Sequence, residues 1–134
     1  MGVRNTLIIS GSVPTQERIQ QNLVAAKREG PLTIVMGGQM ALLQFTNRMD
    51  PNFGLIIIDL ESLTDIKVED LIRVIWRSEG RQCLPILILA HRRPRNIGED
   101  VMIDTLPLSH TPAELGKKVD SLRSIASIAL GLRC

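Results

Sequence analysis

Five short apolar runs divide the chain: Leu7–Ile9, Leu32–Met36, Leu55–Ile58, Ile86–Leu89 and Val101–Ile103. They are continuous rather than alternating, the pattern of strands covered on both faces. Between them lie stretches with helical periodicity. Thr15–Glu29 carries Ile19, Leu23 and Ala26 on one face, Met40–Met49 has the same habit, and Val68–Arg77 places Leu71, Ile72 and Ile75 together. The longest is Pro112–Leu132, in which Leu115, Val119, Leu122, Ile125, Ile128 and Ala129 form a stripe opposite Lys117, Lys118, Asp120 and Arg123. The order βαβαβαβ, an irregular connection, then βα predicts a three-layer α/β/α sandwich. Its core is a five-stranded parallel sheet of order 2-1-3-4-5 with right-handed crossovers, a flavodoxin-like fold. The connection "HRRPRNIGED", between Ala90 and Val101, contains Pro94 and Gly98 and has no apolar period. The helix between strands 4 and 5 is therefore expected to be short or missing.

Composition narrows this picture. A chain of 134 residues with 44% hydrophobic content builds one core and not two, so residues 1–134 are read as a single domain. Sixteen basic and 14 acidic side chains give a net charge of +2, which points to neither a nucleic-acid nor a membrane partner. Cys83 and Cys134 have no spacing motif and are expected to be reduced thiols of a cytoplasmic protein. No run is long enough for a transmembrane span, and no signal peptide is expected.

In a doubly wound sheet, chemistry collects at the carboxyl ends of the strands. Ser10–Ser12, Gly37–Gly38, Asp59–Glu61, Ala90–His91 and Leu106–Pro107 arrive there. Among them only "LIIIDLES" offers a functional group of marked reactivity: Asp59 follows four apolar residues and reaches the active edge, as a nucleophile or metal ligand would. Capping of the next turn is the plainer role for the same residue. "SGSVPT" could hold an anion through backbone N–H groups. It lacks the repeated hydroxyl and glycine spacing of a flavin phosphate loop, and Phe45, Phe53 and Trp76 supply no evident flavin sandwich. Dinucleotide and P-loop glycine motifs are absent, so no cofactor is expected. His91 and His110 show no metal-ligand spacing and are read as surface or turn residues; no metal is expected. The acidic series Glu61, Asp65, Glu69, Asp70 reads as a solvated helix start.

The element order, "LIIIDLES" on the third strand, "LPILILA" on the fourth and "IDTLPL…PAEL" around the fifth strand and last helix resemble a two-component response-regulator receiver domain. The resemblance implies a phosphoacceptor aspartate, which falls on Asp59. It also implies an acidic pair after strand one, a hydroxyl ending strand four and a lysine before a proline after strand five. Here those places hold Ser10 and Gly11, Ala90, and Leu106 before Pro107; the aromatic switch position falls near Ile103, and the chain has no Tyr. Phosphoryl transfer to a carboxylate needs a divalent cation and a cation holding the product. Asp59 with Glu61 alone offers Mg²⁺ no carboxylate cage. The expectation is a non-enzymatic pseudo-receiver, a phosphorylation-independent signalling module acting by protein–protein contact. A phosphorylatable receiver and a small-ligand or anion sensor at the strand edge are the alternatives.

Two surface features suggest partners. His91, Arg92, Arg93 and Arg95 lie just beyond strand four and could form a dock for an anion or an acidic partner. Without stacking aromatics, nucleic acid is a poor fit. The last helix broadens its apolar stripe through Ala126–Leu132, beyond what one sheet face needs, which suggests a homodimer through that helix or docking of a larger signalling protein.

Overall fold

The computed structural model describes residues 5–46, 53–78, 84–97 and 100–132. Cys83, Cys134 and the end of the helix expected over Met40–Met49 lie outside them. Five parallel strands, β1 (Asn5–Ile9), β2 (Leu32–Val35), β3 (Phe53–Asp59), β4 (Ile86–Leu89) and β5 (Ile103–Leu106), form one sheet in the order β2-β1-β3-β4-β5. Helices α1 (Val13–Ala25) and α4 (Pro112–Leu132) cover one face, and α2 (Gly38–Thr46) and α3 (Val68–Ser78) the other.

The continuous runs are explained by this layering. Alternate residues of each central strand serve opposite cores: Leu7, Ile9, Ile56, Ile58, Ile86 and Ile88 meet α2 and α3. Ile8, Leu55, Ile57, Leu87 and Leu89 meet Ile19 and Leu23 of α1 and Leu115, Val119 and Leu122 of α4. A polar residue at either parity would be buried without a partner. Phe45 and Phe53 pack together within the first core, ring centroids 5.5 Å apart.

Local signals set the helix ends. Thr111 and Glu114 form a capping box at α4, each backbone N–H donating to the other's side chain (2.9 and 3.2 Å), with Pro112 at the first helical position. Helix α1 stops at Ala25 rather than running to Glu29. Lys27 adopts a left-handed conformation (φ 58°), and the amides of Lys27 and Arg28 donate back to Val24 and Leu23. Arg28 then reaches Asp120 of α4 with two 2.7 Å hydrogen bonds.

Two expectations shift. Strand β5 starts at Ile103, not Val101: Asp100 accepts from the amides of Met102 through its side chain (2.8 Å) and Ile103 through its carbonyl (3.1 Å), turning the chain so that Val101 is exposed. The second concerns the α4 stripe. Ile128 points to solvent (62% exposed), whereas Ala126 and Ala129 pack on Met102, with Ile125 and Trp76 alongside. Much of the surplus apolar surface thus covers the far end of the molecule. The β4–β5 connection contains no α-helix among its described residues, only a 3₁₀ turn at Arg95–Ile97.

Candidate functional site

Asp59 ends β3 and stands at the carboxyl edge of the sheet, beside the end of β1. It is buried, at 2% exposure. Its Oδ2 accepts a 2.9 Å hydrogen bond from Ser10 Oγ, while Oδ1 is buried with no hydrogen-bond partner among the described residues. Ser10 is itself held in place. Its carbonyl accepts from Gln16 Nε2 (2.6 Å), and its Oγ receives the Ser12 amide (3.2 Å).

A loop closes over this pair. Leu60–Ser62 forms a 3₁₀ turn, and Ser62 Oγ accepts from the Gly11 amide at 2.9 Å. Further along, the Asp65 carboxylate takes the amides of Gly38 and Gln39, both at 2.9 Å. The segment after β3 is therefore pinned to the segments after β1 and β2. Gly38 permits the approach: a Cβ there would sit 2.1 Å from Ile66 Cγ2. Asp65 caps the first turn of α2 from a distant part of the chain and is no mere member of a solvated acidic series. A cap supplied from another element leaves no local sequence pattern, and the Gly37–Gly38 pair was the one signal of close backbone approach.

The hydrogen bonds from Gln39 and Gly38 hold the Asp65 carboxyl below the usual aspartate range. A depressed folded-state pKa means stability that is present above the unfolded value and lost as pH falls through the folded one. Replacement of Asp65 by Ala is expected to cost about 1 kcal/mol at neutral pH, the typical worth of a helix cap at an exposed site. The difference from the parent should begin to narrow as the pH falls below about 4, the unfolded-state value, and close only below the depressed folded-state value, where the native carboxyl is protonated. Denaturant melts of the two proteins across that range measure it, and a gap that stays constant into acid would show that the carboxylate is not the cap.

The remaining expected positions fall at the same edge but do not converge as a reactive cluster. Ala90 and Leu106 are buried at the ends of β4 and β5, joined by the 3.0 Å bond from the Ala90 amide to the Leu106 carbonyl. Glu61 is exposed on the 3₁₀ turn. Three backbone donors of "SGSVPT" are engaged within the chain: the Gly11 amide by Ser62, the Ser12 amide by Ser10 and the Thr15 amide by the Ser12 cap (3.4 Å). Among the described residues, no three His, Cys, Asp or Glu side chains come together. The site does not fit the Mg²⁺ that a receiver would hold. Its single carboxylate has one oxygen on Ser10, with apolar Ala90 and Leu106 closing the neighbouring strands.

Of the basic loop, His91, Arg92 and Arg95 are exposed. Arg93 is turned inward, donating to the carbonyls of Ile103 (3.0 Å) and Asp100 (3.4 Å), so it anchors the connection to β5. His110 closes a turn, as expected, but is buried. Its Nδ1 lies 2.9 Å from the Pro107 carbonyl, and burial pushes its pKa down. It borders a cleft of about 210 Å³ lined also by Pro14, Thr15, Arg18, Ile19, Leu89 and Leu108, separate from Asp59.

The strand order and the placement of Asp59 at the end of the third strand define the class: the chain has the fold of a response-regulator receiver domain. It is similar to the N-terminal domain of a response regulator/sensory box/GGDEF three-domain protein from Carboxydothermus hydrogenoformans. There the TM-score is 0.73 at 19% identity, over 95% of this chain and 99% of that one. The response regulator TrrA of Thermotoga maritima, in complex with Mg²⁺ and BeF, matches with a TM-score of 0.71 at 19% identity, over 90% and 99% of the two chains. The Vibrio cholerae chemotaxis protein CheY4 gives 0.67 at 16% identity, over 90% and 99%. No protein-family model matches the sequence, and no curated protein matches it.

Proposed function

We propose that this chain is a phosphorylation-independent, receiver-like signalling module that works through contact with other proteins rather than by catalysis. The observation that carries the reading is the state of Asp59: buried, bonded to Ser10, and covered by a turn fastened at Ser62–Gly11. In-line attack on a phosphoryl donor requires an exposed carboxylate oxygen and cations around the transferred group. Here the adjoining strand ends supply a hydroxyl, a glycine and two apolar side chains.

Incubation with acetyl phosphate and Mg²⁺ is expected to leave Asp59 unmodified by intact-mass spectrometry. Beryllofluoride with Mg²⁺ should leave the amide resonances of residues 60–65 in place. A stoichiometric adduct on Asp59 would establish the phosphorylatable alternative instead. The surroundings of Asp59 favour neither that alternative nor a ligand sensor at the strand edge, since Oδ2 is taken by Ser10 and the adjoining turn is tied to Gly11 through Ser62.

For partners, the exposed His91, Arg92 and Arg95 are read as a dock for an acidic protein surface, on the same sheet edge as Asp59. The exposed Ile128 is read as the anchor of a second contact on α4, used by a larger signalling protein. No helix among the described residues is long and apolar enough to cross a membrane. A cytoplasmic location is part of the same proposal.

A further inference from the structure

The two edges of the sheet are finished differently. In β5, Met102 and Leu106 turn their carbonyls to β4, accepting from Ile86 (2.8 Å) and Ala90 (3.0 Å), so Ile103 and Thr105 face outward. Three of those outward groups are satisfied within the chain. The Ile103 amide donates to the Asp100 carbonyl, the Ile103 carbonyl accepts from Arg93, and the Thr105 amide donates to the Asp104 side chain (2.8 Å). A salt bridge from Lys118 to Asp104 adds charge to this edge. Such devices keep an edge strand from pairing with another chain.

The β2 edge has no such protection among the described residues. The Pro31 and Val35 carbonyls accept from Thr6 of β1 and from Ser10 just beyond it, both at 3.0 Å. By alternation, Leu32 and Ile34 direct their amides and carbonyls away from the sheet, where no further strand follows. From Gly30 through Thr46 there is no charged side chain. Ile34 is 36% exposed, and Met36, Met40 and Leu43 nearby in the chain are half exposed.

We infer that β2 is a homodimerisation edge, pairing antiparallel with β2 of a second copy across a two-fold axis at Thr33. That register sets Leu32 opposite Ile34 of the other copy twice over. All four outward groups of each strand then exchange N–H···O bonds, and the sheet continues from one molecule into the next. Thr33 faces its own counterpart, a favourable cross-strand pair, while the Leu32 and Ile34 side chains of both copies share one face. A two-fold contact sets a patch against its own copy, so a patch of one sign of charge would repel itself; an uncharged segment is free of that penalty. A second copy supplies this complement in full, which is why it is the chosen occupant. The inference is independent of whether Asp59 accepts a phosphoryl group.

Sedimentation equilibrium of the whole chain at micromolar concentration is expected to give the dimer mass. Hydrogen exchange at the Leu32 and Ile34 amides should slow with rising concentration, by on the order of tenfold or more. Ile34→Lys, a substitution at a partly exposed edge position, should return the monomer with fast exchange at Leu32 and an unchanged circular dichroism spectrum. Ile128→Glu should leave the dimer intact. A monomer at every concentration would overturn the inference and leave the edge to a strand of some other protein. A dimer that survives Ile34→Lys but not Ile128→Glu would overturn it in favour of α4, and exchange at Leu32 and Ile34 that is independent of concentration would overturn it even without the variants.

Discussion

Replacement of Trp76 by alanine is expected to cost about 3 kcal/mol and to loosen the C-terminal half of α4, because this half-buried side chain joins two cores. Trp76 packs on the cluster beneath α2 and α3 and also borders Met102, Ala126 and Ala129. Its Nε1 donates to the Leu84 carbonyl at 3.1 Å, fixing the ring against the start of β4. The connection from β4 to β5 contributes only a 3₁₀ turn among its described residues, so the indole and the end of α4 cover apolar surface that a crossover helix would otherwise shield. Truncation opens a cavity at that junction and leaves the Leu84 carbonyl without its donor. Urea melts give the free-energy change, and hydrogen exchange along residues 122–129 reports the loosening. A loss below about 1 kcal/mol with unchanged exchange would show that the two cores are held together by other contacts.

The opposite sign is expected at the candidate site. Asp59→Asn should raise stability by about 1–3 kcal/mol at neutral pH, the scale of an unpaired buried polar or charged group. The parent carboxylate is 2% exposed, has one oxygen on Ser10, and has no hydrogen-bond partner among the described residues at the other. Water would solvate both oxygens in the unfolded chain. Asparagine has nearly the same shape, keeps an oxygen for the Ser10 hydroxyl and removes the charge; its amide group is a cheaper buried group than half a carboxylate. Thermal melts of the two proteins decide the sign. A destabilised variant would mean that the charge itself is held by an interaction beyond Ser10. A gain in stability would place Asp59 among residues that a protein keeps at a structural cost.

Much of this architecture is legible along the chain. Continuous apolar runs at Leu7–Ile9, Leu55–Ile58 and Ile86–Leu89 announce strands covered on both sides, and both parities of each run are buried in opposite cores. Helix α4 spans Pro112–Leu132, where its apolar periodicity places it. Proline and glycine in the segment after Ala90 correctly argue against a helix there. Asp59 at the carboxyl end of β3 follows from its position directly after an apolar strand, and the positions of Ser10, Gly11, Ala90 and Leu106 follow from the strand order.

What the chain could not show depends on contacts between residues far apart in it. The tie from Asp65 to Gly38 and Gln39, and that from Ser62 to Gly11, join segments separated by 26 or more positions, and no local pattern encodes such a pairing. The inward turn of Arg93 depends on where β5 begins, and that start moved from Val101 to Ile103 through an Asp100 turn. Burial of Asp59 was equally hidden: the same residue at the same strand end is open or closed according to the loop above it. The two edges differ for the same reason. Leu32–Met36 and Val101–Ile103 are both short apolar runs by sequence, but only the assembled sheet leaves the outward backbone groups of Leu32 and Ile34 without a partner among the described residues while Asp100, Arg93 and Asp104 close the other side. Sequence determined which residues must leave water, since that depends on side-chain chemistry and period. Tertiary structure alone decided which polar groups found partners, because hydrogen bonds are directional and short-ranged, and their partners here come from distant parts of the chain.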